Sequence, residues 1–344
     1  MMGERLTTPS RKELEDSIAA LSDARVGVVG DVMADIYVSG LTQRVSREAP
    51  VVVVKRERQW LLPGGAANVA ANVASLGATV EMVGMAGDDE PGRAVRQALV
   101  ERRVGTEGLL LSNQHQTITK TRFLAGALHT SRQQVLRLDR APDGAPLDSL
   151  RSLLRERIER VDERVDAWVV SDYGYGVFDS RFKDMLRQLA RVKTVVVDSR
   201  YDARSFGGVT VLKPNEEEAI EATSATDGSP EQMHIAAREL VDRLELQAVL
   251  ITLGNQGMLL HHRGGSCCLI PAVGTDQIVD LTGAGDTVAA VFTTAMAAGR
   301  SALEAAHLAN AAASVVVMCE GVATVSPAEL SRAIRESGVA AEVR

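Results

Sequence analysis

The chain has 344 residues, of which 45% are hydrophobic and 24% charged, and its formal net charge is −7. This composition is typical of a soluble globular protein, and the length allows one large α/β domain with an appendage or two modest domains. The negative charge argues against nucleic acid as the main partner. Three cysteines provide neither a disulfide framework nor zinc spacing, and no apolar segment suits a signal peptide or a membrane span, so we expect a cytoplasmic protein with no membrane partner.

The N-terminal part of the chain predicts a peripheral helix followed by the first strand of a sheet. Residues 1–24 are expected to form a tail and one helix, at Arg11–Leu21. Val26–Gly30 is an apolar run typical of a buried parallel strand, and it presents Asp31 at its carboxyl end. Because ligands collect at the carboxyl ends of strands in open α/β sheets, Asp31 and Asp35 are candidate acceptors for sugar hydroxyls. A helix N-cap or turn carboxylate is the alternative, and for Asp35 we prefer it.

Two stretches of β-branched and charged residues predict a small sheet apart from the main one. They lie at about 37–59 and 118–140, and they contain the runs Val51–Arg58, Ile118–Leu124 and Val135–Asp139. We expect these runs to pair as an antiparallel sheet that forms a lid over the active site.

The lid carries a group of cations suited to a phosphate group. Strand alternation places Lys120 and Arg122 on one face, and Arg137 on the same face as Asp139. Charged strand faces are usually only solvated, which is the simple interpretation for most of these side chains. Arginine offers a bidentate fork that matches phosphate, so a lid cluster is a candidate site for a substrate phosphate.

Between the two lid stretches lies a helix made almost entirely of small residues, Ala66–Leu76. Gly64 and Gly65 precede it, and Asn68 and Asn72 lie on one face at a spacing of i, i+4. Alanine-rich packing explains the small side chains but not the two amides. We expect Asn68 to bind sugar hydroxyls and Asn72 to cap neighbouring backbone.

After the lid, strands and helices alternate regularly. Predicted helices lie at 147–161, 181–189 and 232–244, and predicted strands at 166–171, 194–198, 209–212 and 249–254. Such β-then-α units predict an α/β fold with a mostly parallel central sheet and helices on both faces. The runs Met258–His262 and Cys267–Val273 predict an antiparallel edge, and two final helices are expected at Leu303–Met318 and Pro327–Glu336.

One stretch near the end of the chain, Asp280–Thr287 (DLTGAGDT), has the character of a phosphate-binding loop. It runs into a small apolar segment, Val288–Ala298, which is predicted to be a helix. Gly283 and Gly285 allow a sharp turn, and the helix N-terminus presents unpaired N–H donors and a positive dipole that suit a phosphate or an oxyanion. Asp286 at that end would repel an anion, so its presence there indicates a chemical role. Accepting a proton beside a phosphoryl group is such a role.

The glycine pattern differs from two widespread phosphate loops. The lysine of a Walker loop is absent, and Val288 stands where a dinucleotide fingerprint has its third glycine. Gly30 is followed by Asp31 rather than by a phosphate-binding turn, which excludes a nicotinamide-dependent oxidoreductase. A glycine-rich turn that only begins a buried helix stays open as the alternative for the loop, because short glycine motifs occur by chance.

Taken together, four motifs resemble those of the ribokinase-like carbohydrate kinase family. Gly64–Ala70 (GGAANVA) is similar to the first signature of the family, Lys213–Glu218 (KPNEEE) contains its N-x-x-E pattern, Thr252–Gly257 (TLGNQG) resembles its nucleotide loop, and Asp280–Thr287 its second signature. The resemblance extends from about Arg25 to Ser326. It implies a ribokinase-like fold with a β-sheet lid, one kinase domain at 25–340, and an ATP-dependent phosphotransferase that acts on a sugar alcohol group.

The resemblance also implies roles for individual residues on the phosphate side. Asp286 would be the general base, and the backbone N–H groups of Gly283, Ala284 and Gly285 would form an anion hole. The implied nucleotide contacts are Asn215, Glu218, Arg200, Lys213, Thr252, Gly254, Gly257 and Asn310. Asn215 and Glu218 would hold Mg²⁺ through water, and Asp280 with Thr282 would hold a monovalent cation such as K⁺.

Within the family, the lid segments resemble the branch that phosphorylates D-glycero-β-D-manno-heptose 7-phosphate for the lipopolysaccharide core. The matching segments are Ser46–Val51, Pro63–Val69, Thr119–Arg122 and Gln134–Asp139. In many bacteria this kinase is fused to a nucleotidyltransferase domain, and we expect the present chain to resemble the stand-alone kinase. Tyr175 stands where the branch has a lysine, which weakens any role of that loop in holding the sugar phosphate by charge.

The sugar-phosphate partner would therefore be bound next to the lid. The implied substrate contacts are Asp31, Gly64, Gly65, Asn68, Arg137, Lys120, Arg122 and Asp172. Exposed edges of the lid sheet predict a homodimer, since open edges find partners. Two alternatives stay open: a kinase on the same scaffold for fructose 6-phosphate, tagatose 6-phosphate or a pentose, and a non-catalytic regulator that binds a sugar or a nucleotide.

Overall fold

The computed structural model describes residues 8–128, 130–265, 267–274 and 279–336. Residues 1–7 of the predicted tail and 337–340 of the predicted kinase domain lie outside the described residues, and the domain boundaries stay predictions. Within the described ranges, no helix has the length and apolar character needed to cross a lipid bilayer.

Apolar, β-branched runs form the strands of a long twisted sheet. The strands are β1 (Arg25–Val45), β2 (Val52–Gly65), β3 (Thr79–Gly87), β4 (Gly105–Ser112), β5 (Ile118–Gly126), β6 (Gln133–Arg140), β7 (Ala167–Asp172), β8 (Thr194–Ser199), β9 (Val211–Leu212), β10 (Ala248–Thr252), β11 (Met258–His262) and β12 (Cys267–Ile270). The main sheet has the order β12-β11-β10-β9-β8-β7-β1-β3-β4. It is parallel from β4 to β10 and antiparallel at β11 and β12, which confirms the predicted arrangement. Strand β4 has no predicted counterpart, because Gly105 and Gly108 interrupt its apolar run.

Helices cover both faces of this sheet. They are α1 (Arg11–Ala20), α2 (Ala66–Ser75), α3 (Glu90–Glu101), α4 (Asp148–Asp162), α5 (Ser180–Leu189), α6 (Glu216–Ala222), α7 (Pro230–Arg243), α8 (Ala284–Ala297), α9 (Ala302–Val316) and α10 (Pro327–Glu336). Successive strand residues point to opposite faces, so Val195 and Val197 pack with α4 to α7 while Val196 packs with α1, α8, α9 and α10. The predicted α/β architecture is confirmed.

The sequence predicted that the first strand ends at Asp31, but β1 continues beyond that residue to Val45. Up to that residue it pairs in parallel with β3 and β7, and from Val32 onward it pairs with β2 and β5 outside the main sheet. Every residue from Val26 to Asp35 is buried, so both faces of the strand are covered across this junction, and exposure increases only further into the lid. Asp31 therefore lies inside a continuous strand, at the point where the strand passes from the main sheet to the lid.

The lid is a mixed sheet rather than the antiparallel one predicted. The two predicted stretches do pair, but in parallel, through Tyr37–Leu41 of β1 and Arg122–Gly126 of β5, and β1 separates β2 from β5. β1 is antiparallel to β2 and parallel to β5, and β5 is antiparallel to β6. Asp35 lies within β1, so the preferred interpretation of this residue as an N-cap or turn carboxylate is wrong.

Candidate active site

The predicted phosphate loop forms the N-terminus of α8, which begins at Ala284 and not at the predicted Val288. Gly283 is the N-cap residue with φ +82°, and a Cβ at this position would lie 2.8 Å from Asn68 Nδ2, so glycine is required on both counts. The N–H of Ala284 donates to the Leu281 carbonyl at 3.3 Å. Among the described residues, the N–H groups of Gly285 and Asp286 have no backbone acceptor and remain open to an anion.

Asp286 lies on the first turn of α8, is 5% exposed, and accepts hydrogen bonds on both carboxylate oxygens. Asn68 Nδ2 donates to Oδ2 and the Tyr173 hydroxyl to Oδ1, both at 2.8 Å. Burial, with the negative charges of Asp198 and Asp35, raises the pKa of Asp286 to about 7 against the effect of the two hydrogen bonds. A carboxyl of that pKa can exchange a proton near neutral pH, as a general base must.

Asn68 is held in place by the helix that carries it. Asn72, one turn later on α2, donates from Nδ2 to the Asn68 backbone carbonyl at 3.1 Å and to its side-chain oxygen at 3.2 Å. The Thr287 hydroxyl donates to Asn72 Oδ1 at 3.2 Å and so ties α8 to the same network. In this structure Asn68 contacts the predicted base, and Asn72 supports neighbouring groups as expected.

A second pair of carboxylates consists of Asp31 and Asp172. Asp31 lies where β1 leaves the main sheet, and Asp172 is the last residue of the neighbouring strand β7. Asp31 is buried, and burial together with the charge of Asp172 raises its pKa to about 7. The Tyr173 N–H donates to Asp31 Oδ2 at 2.7 Å, whereas Oδ1 has no hydrogen-bond partner among the described residues. Asp172 accepts from the Ser199 hydroxyl at 2.7 Å and from the Gly174 N–H at 3.0 Å. The buried Oδ1 of Asp31 is therefore an acceptor without a partner, of the kind that the hydroxyl of a bound sugar would satisfy.

The glycines that precede α2 bring backbone close to these carboxylates. Gly65 has φ +56°, and a Cβ there would lie 2.6 Å from the Asp31 carbonyl oxygen. A Cβ on Gly64 would overlap the Asp35 carboxylate. The Gly-Gly entry therefore exists because side chains would not fit between β1 and β2.

The three predicted lid cations have different environments. Arg122 is buried and forms an ion pair with Asp35, while its cross-strand neighbour Arg137 is exposed and pairs with Asp139 at 2.9 Å. The Lys120 ammonium lies 4.9 Å from the centre of the Tyr173 ring. Of these three side chains, Lys120 is the one without a carboxylate within ion-pair distance in the described residues.

On the other side of the loop, the buried Lys213 forms an ion pair at 3.1 Å with Asp198, which is partly exposed. A Cβ placed on Gly285 would lie 3.8 Å from Lys213 Nζ and 3.9 Å from Asp198 Oδ2. The pair therefore borders the open space in front of the α8 N-terminus, where an anionic phosphoryl group would fit. Burial raises the pKa of Asp198. Arg200, by contrast, is exposed, with its guanidinium 5.7 Å from the centre of the Tyr201 ring.

Asn215 and Glu218 form the capping box of α6. The Glu218 N–H donates to Asn215 Oδ1 at 2.8 Å, and the Asn215 N–H donates to Glu218 Oε2 at 2.9 Å. Burial raises the pKa of Glu218, which lies close to the charges of Lys213 and Asp198. The N-x-x-E pattern is thus explained structurally, and the remaining oxygens of Glu218 and Asn215 are of the hard type that Mg²⁺ prefers.

The remaining predicted nucleotide residues lie at the end of β10, in the turn that follows it, and in the middle of α9. The Thr252 N–H donates to the Pro214 carbonyl at 3.0 Å, which joins this strand end to the start of α6. Gly254 and Gly257 have φ +57° and +100° in the turn that follows. Asn310 donates from Nδ2 to the Pro271 carbonyl at 2.7 Å.

The predicted monovalent-cation residues form a compact turn. Asp280 Oδ1 accepts from the Thr282 N–H at 2.9 Å and from its hydroxyl at 2.7 Å, and Oδ2 accepts from the Gly321 N–H at 3.0 Å. Burial opposes ionisation of Asp280, but these hydrogen bonds outweigh it and lower the pKa of the carboxyl. Both oxygens already have partners, and a cation there stays a prediction.

Two residues of this site, Tyr173 and Asp198, were not predicted. Each lies at the carboxyl end of a strand, beside predicted Asp172 and Arg200. Position at a strand end was the available signal for both, and Tyr173 also lies in the loop in which Tyr175 replaces the lysine of the branch.

Comparison with known proteins agrees with this geometry. The sequence model of the pfkB family carbohydrate kinases matches residues 23–329. The bifunctional protein HldE of Paramagnetospirillum magneticum is 38% identical over 320 residues, and that of Aeromonas hydrophila is 41% identical over 312 residues. The alignments cover 92% and 90% of this chain and 64% of each relative, so the chain spans just under two thirds of their length.

Solved structures share the fold. Arabidopsis thaliana ribokinase complexed with ribose and ATP has a TM-score of 0.68 at 22% identity, covering 91% of this chain and 99% of the ribokinase. Escherichia coli phosphofructokinase-2 in complex with substrates and products has a TM-score of 0.70 at 18% identity, with the same coverage. These likenesses confirm the predicted ribokinase-like architecture.

Proposed function

The chain belongs to the pfkB family of carbohydrate kinases, and from this premise we propose that it phosphorylates the C1 hydroxyl of D-glycero-β-D-manno-heptose 7-phosphate. As a member of the family it is a phosphotransferase that uses ATP, a divalent metal and a sugar. One observation above all supports a catalytic role for the site: Asp286, buried at an open helix N-terminus, has its pKa raised to about 7. A regulator that only binds ligands has no need of such a base.

The chemistry would be a direct in-line transfer. The C1 oxygen attacks the γ-phosphorus of ATP, the bond to the ADP oxygen breaks, and the hydroxyl proton passes to Asp286. The N–H groups of Gly285 and Asp286 and the Lys213 ammonium lie where they would stabilise the charge of the transferring group. Asp31 would orient the sugar through Oδ1, the carboxylate oxygen that has no hydrogen-bond partner in the described residues.

A divalent metal, Mg²⁺ in this proposal, would neutralise charge on the ATP phosphates when bound. Asn215 and Glu218 would hold it through water, since Glu218 lies close to the charges of Lys213 and Asp198 and Asn215 is bonded to Glu218 in the capping box. A monovalent cation at Asp280 and Thr282 remains part of the proposal.

The choice of sugar rests on the lid. Its segments carry the motifs of the heptose 7-phosphate branch, and the cationic Lys120 lies beside the Tyr173 ring next to the predicted base. The relatives are bifunctional by name, which fits a branch in which the kinase is often fused to a second domain. Cytoplasmic location follows from the same proposal, since ATP is the phosphoryl donor.

The proposal is tested by ADP release from MgATP with heptose 7-phosphate, fructose 6-phosphate and ribose offered in parallel. We expect strong preference for the heptose phosphate. Preference for either other sugar would keep the kinase and replace the substrate, and no turnover with any of them despite ATP binding would favour the regulator.

We also propose a homodimer formed through the lid. Leu136 and Leu138 on β6 are 56% and 59% exposed, and β6 has no strand on its outer side within the described residues. An open edge beside apolar side chains is a pairing surface.

We expect Leu136→Asp combined with Leu138→Asp to convert the dimer to a monomer in analytical ultracentrifugation. Val192→Asp, a substitution at a side chain that is 78% exposed outside the lid, is the matched control and should leave the dimer intact. A double variant that still sediments as a dimer would place the interface elsewhere.

A further inference from the structure

Tyr173 contacts both carboxylates of the site through two different groups. Its hydroxyl donates to Asp286 Oδ1 at 2.8 Å, and its backbone N–H donates to Asp31 Oδ2 at 2.7 Å. One residue therefore spans the distance between the predicted base and the predicted sugar-binding carboxylate. Among the residues of this loop, Asp172 and Tyr175 were considered from the sequence, and no role was predicted for Tyr173.

The tyrosine is fixed from several sides. The preceding residue, Asp172, is held by Ser199 and Gly174, and the Arg200 N–H donates to the Asp172 carbonyl at 3.0 Å. The Lys120 ammonium lies over the ring. A side chain restrained in this way can hold its partner in one orientation.

The hydroxyl acts as a donor only. Burial and the charge of Asp286 raise the pKa of Tyr173 well above its ordinary value, so the phenol keeps its proton. It cannot take the proton of the sugar hydroxyl itself. Its hydrogen bond stabilises the ionised carboxylate of Asp286, as does the one from Asn68.

We propose that Tyr173 is a positioning residue for the phosphoryl transfer: its hydroxyl orients Asp286 and keeps it ionised, and its backbone N–H links it to Asp31. This inference rests on the proposed function, in which Asp286 is the general base. The sugar hydroxyl then meets a carboxylate whose Oδ1 and Oδ2 are aligned by Tyr173 and Asn68 before substrate arrives.

The charges around Asp286 set the direction of the expected pH effect. Asp198 on β8 and Asp35 on β1 disfavour its ionised form, and Lys213, after β9, borders the neighbouring Gly285. Tyr173→Phe leaves all of these in place and removes one hydrogen bond to the charged form. The pKa of Asp286 should therefore rise, and the base should become protonated at higher pH than in the wild type.

The first test needs no substrate. Carbon-13 NMR titration of labelled aspartate carboxyls, with the Asp286 signal identified by its loss in Asp286→Asn, should show a pKa about one unit higher in Tyr173→Phe. Tyr175→Phe, in the same loop but without a hydrogen bond to Asp286 in the described structure, is the control and should match the wild type. An unchanged Asp286 pKa in a folded Tyr173→Phe protein overturns the proposal.

The second test is the pH profile of kcat/KM. Near pH 7 we expect Tyr173→Phe to be roughly 5- to 10-fold less active, with most of the loss recovered near pH 9, because a base with a higher pKa ionises at higher pH. A profile that superimposes on the wild type also overturns the proposal. Absence of turnover in the wild type with every sugar instead refutes the proposed function, while the NMR titration still decides whether Tyr173 controls Asp286.

Discussion

Asp286→Asn is expected to lower kcat by roughly 10²- to 10⁴-fold, which is the usual contribution of a general base. The amide has nearly the shape of the carboxylate but cannot accept the proton of the sugar hydroxyl. The N–H groups at the start of α8 and the neighbouring Lys213 remain, so ATP binding should persist. Removing a buried carboxylate also removes a desolvation cost, so the fold should tolerate the change.

Single-turnover kinetics and ATP binding by calorimetry would check this prediction. Asp166→Asn is a suitable control, because Asp166 pairs with Arg25 at the amino ends of β7 and β1, away from the strand ends that carry the site. The control should turn over like the wild type. Near wild-type kcat in Asp286→Asn would remove this residue from the role of base.

Arg122→Ala is expected to lower the free energy of unfolding by about 3–5 kcal/mol. Its guanidinium pairs with Asp35, and the two side chains are only 10% and 6% exposed. Loss of the arginine leaves the Asp35 carboxylate buried without its ion-pair partner. Breaking a buried ion pair in this way lowers the free energy of unfolding of proteins by about 3–5 kcal/mol. Urea unfolding followed by circular dichroism measures the effect.

The cross-strand neighbour Arg137 provides the matched control. It pairs with Asp139, but these side chains are 51% and 41% exposed, so Arg137→Ala should change the free energy of unfolding by no more than about 1 kcal/mol. Adding Asp35→Asn to Arg122→Ala should recover part of the lost stability, because the uncompensated charge disappears. Equal losses for the two arginine variants would contradict a structural role for the Arg122 pair.

The two arginines also bear on how the substrate is held. Sequence alternation assigned both to the lid face and treated both as candidates for a sugar phosphate. In the structure Arg122 forms an ion pair with Asp35, whereas the Lys120 ammonium lies over the Tyr173 ring and has no carboxylate within ion-pair distance in the described residues. Burial lowers the pKa of Lys120, and the charges of Arg200 and Arg122 act in the same direction, whereas the carboxylates of Asp35 and Asp139 oppose the shift.

Those parts of this protein that depend on local chemistry could be predicted from the amino-acid sequence. Gly283 must adopt φ +82°, and a loop with that requirement before a small-residue helix can be recognised from its letters. The same holds for Asp286 within the loop and for Asn215 with Glu218, whose capping box is a contact between neighbours in the chain. The parallel sheet followed from apolar runs alternating with helices, because the periods of the two elements differ.

The identity of the distant residues that share the site could not be predicted in this way, because it depends on how the chain packs. Tyr173 meets Asp286 across a separation of 113 positions, and Asn68 meets it across 218. The continuation of β1 past Asp31 into the lid, and the pairing of Arg122 with Asp35, likewise depend on strands brought together by the fold. Local pattern carries no information about such partners, since burial and charge pairing are properties of the packed chain.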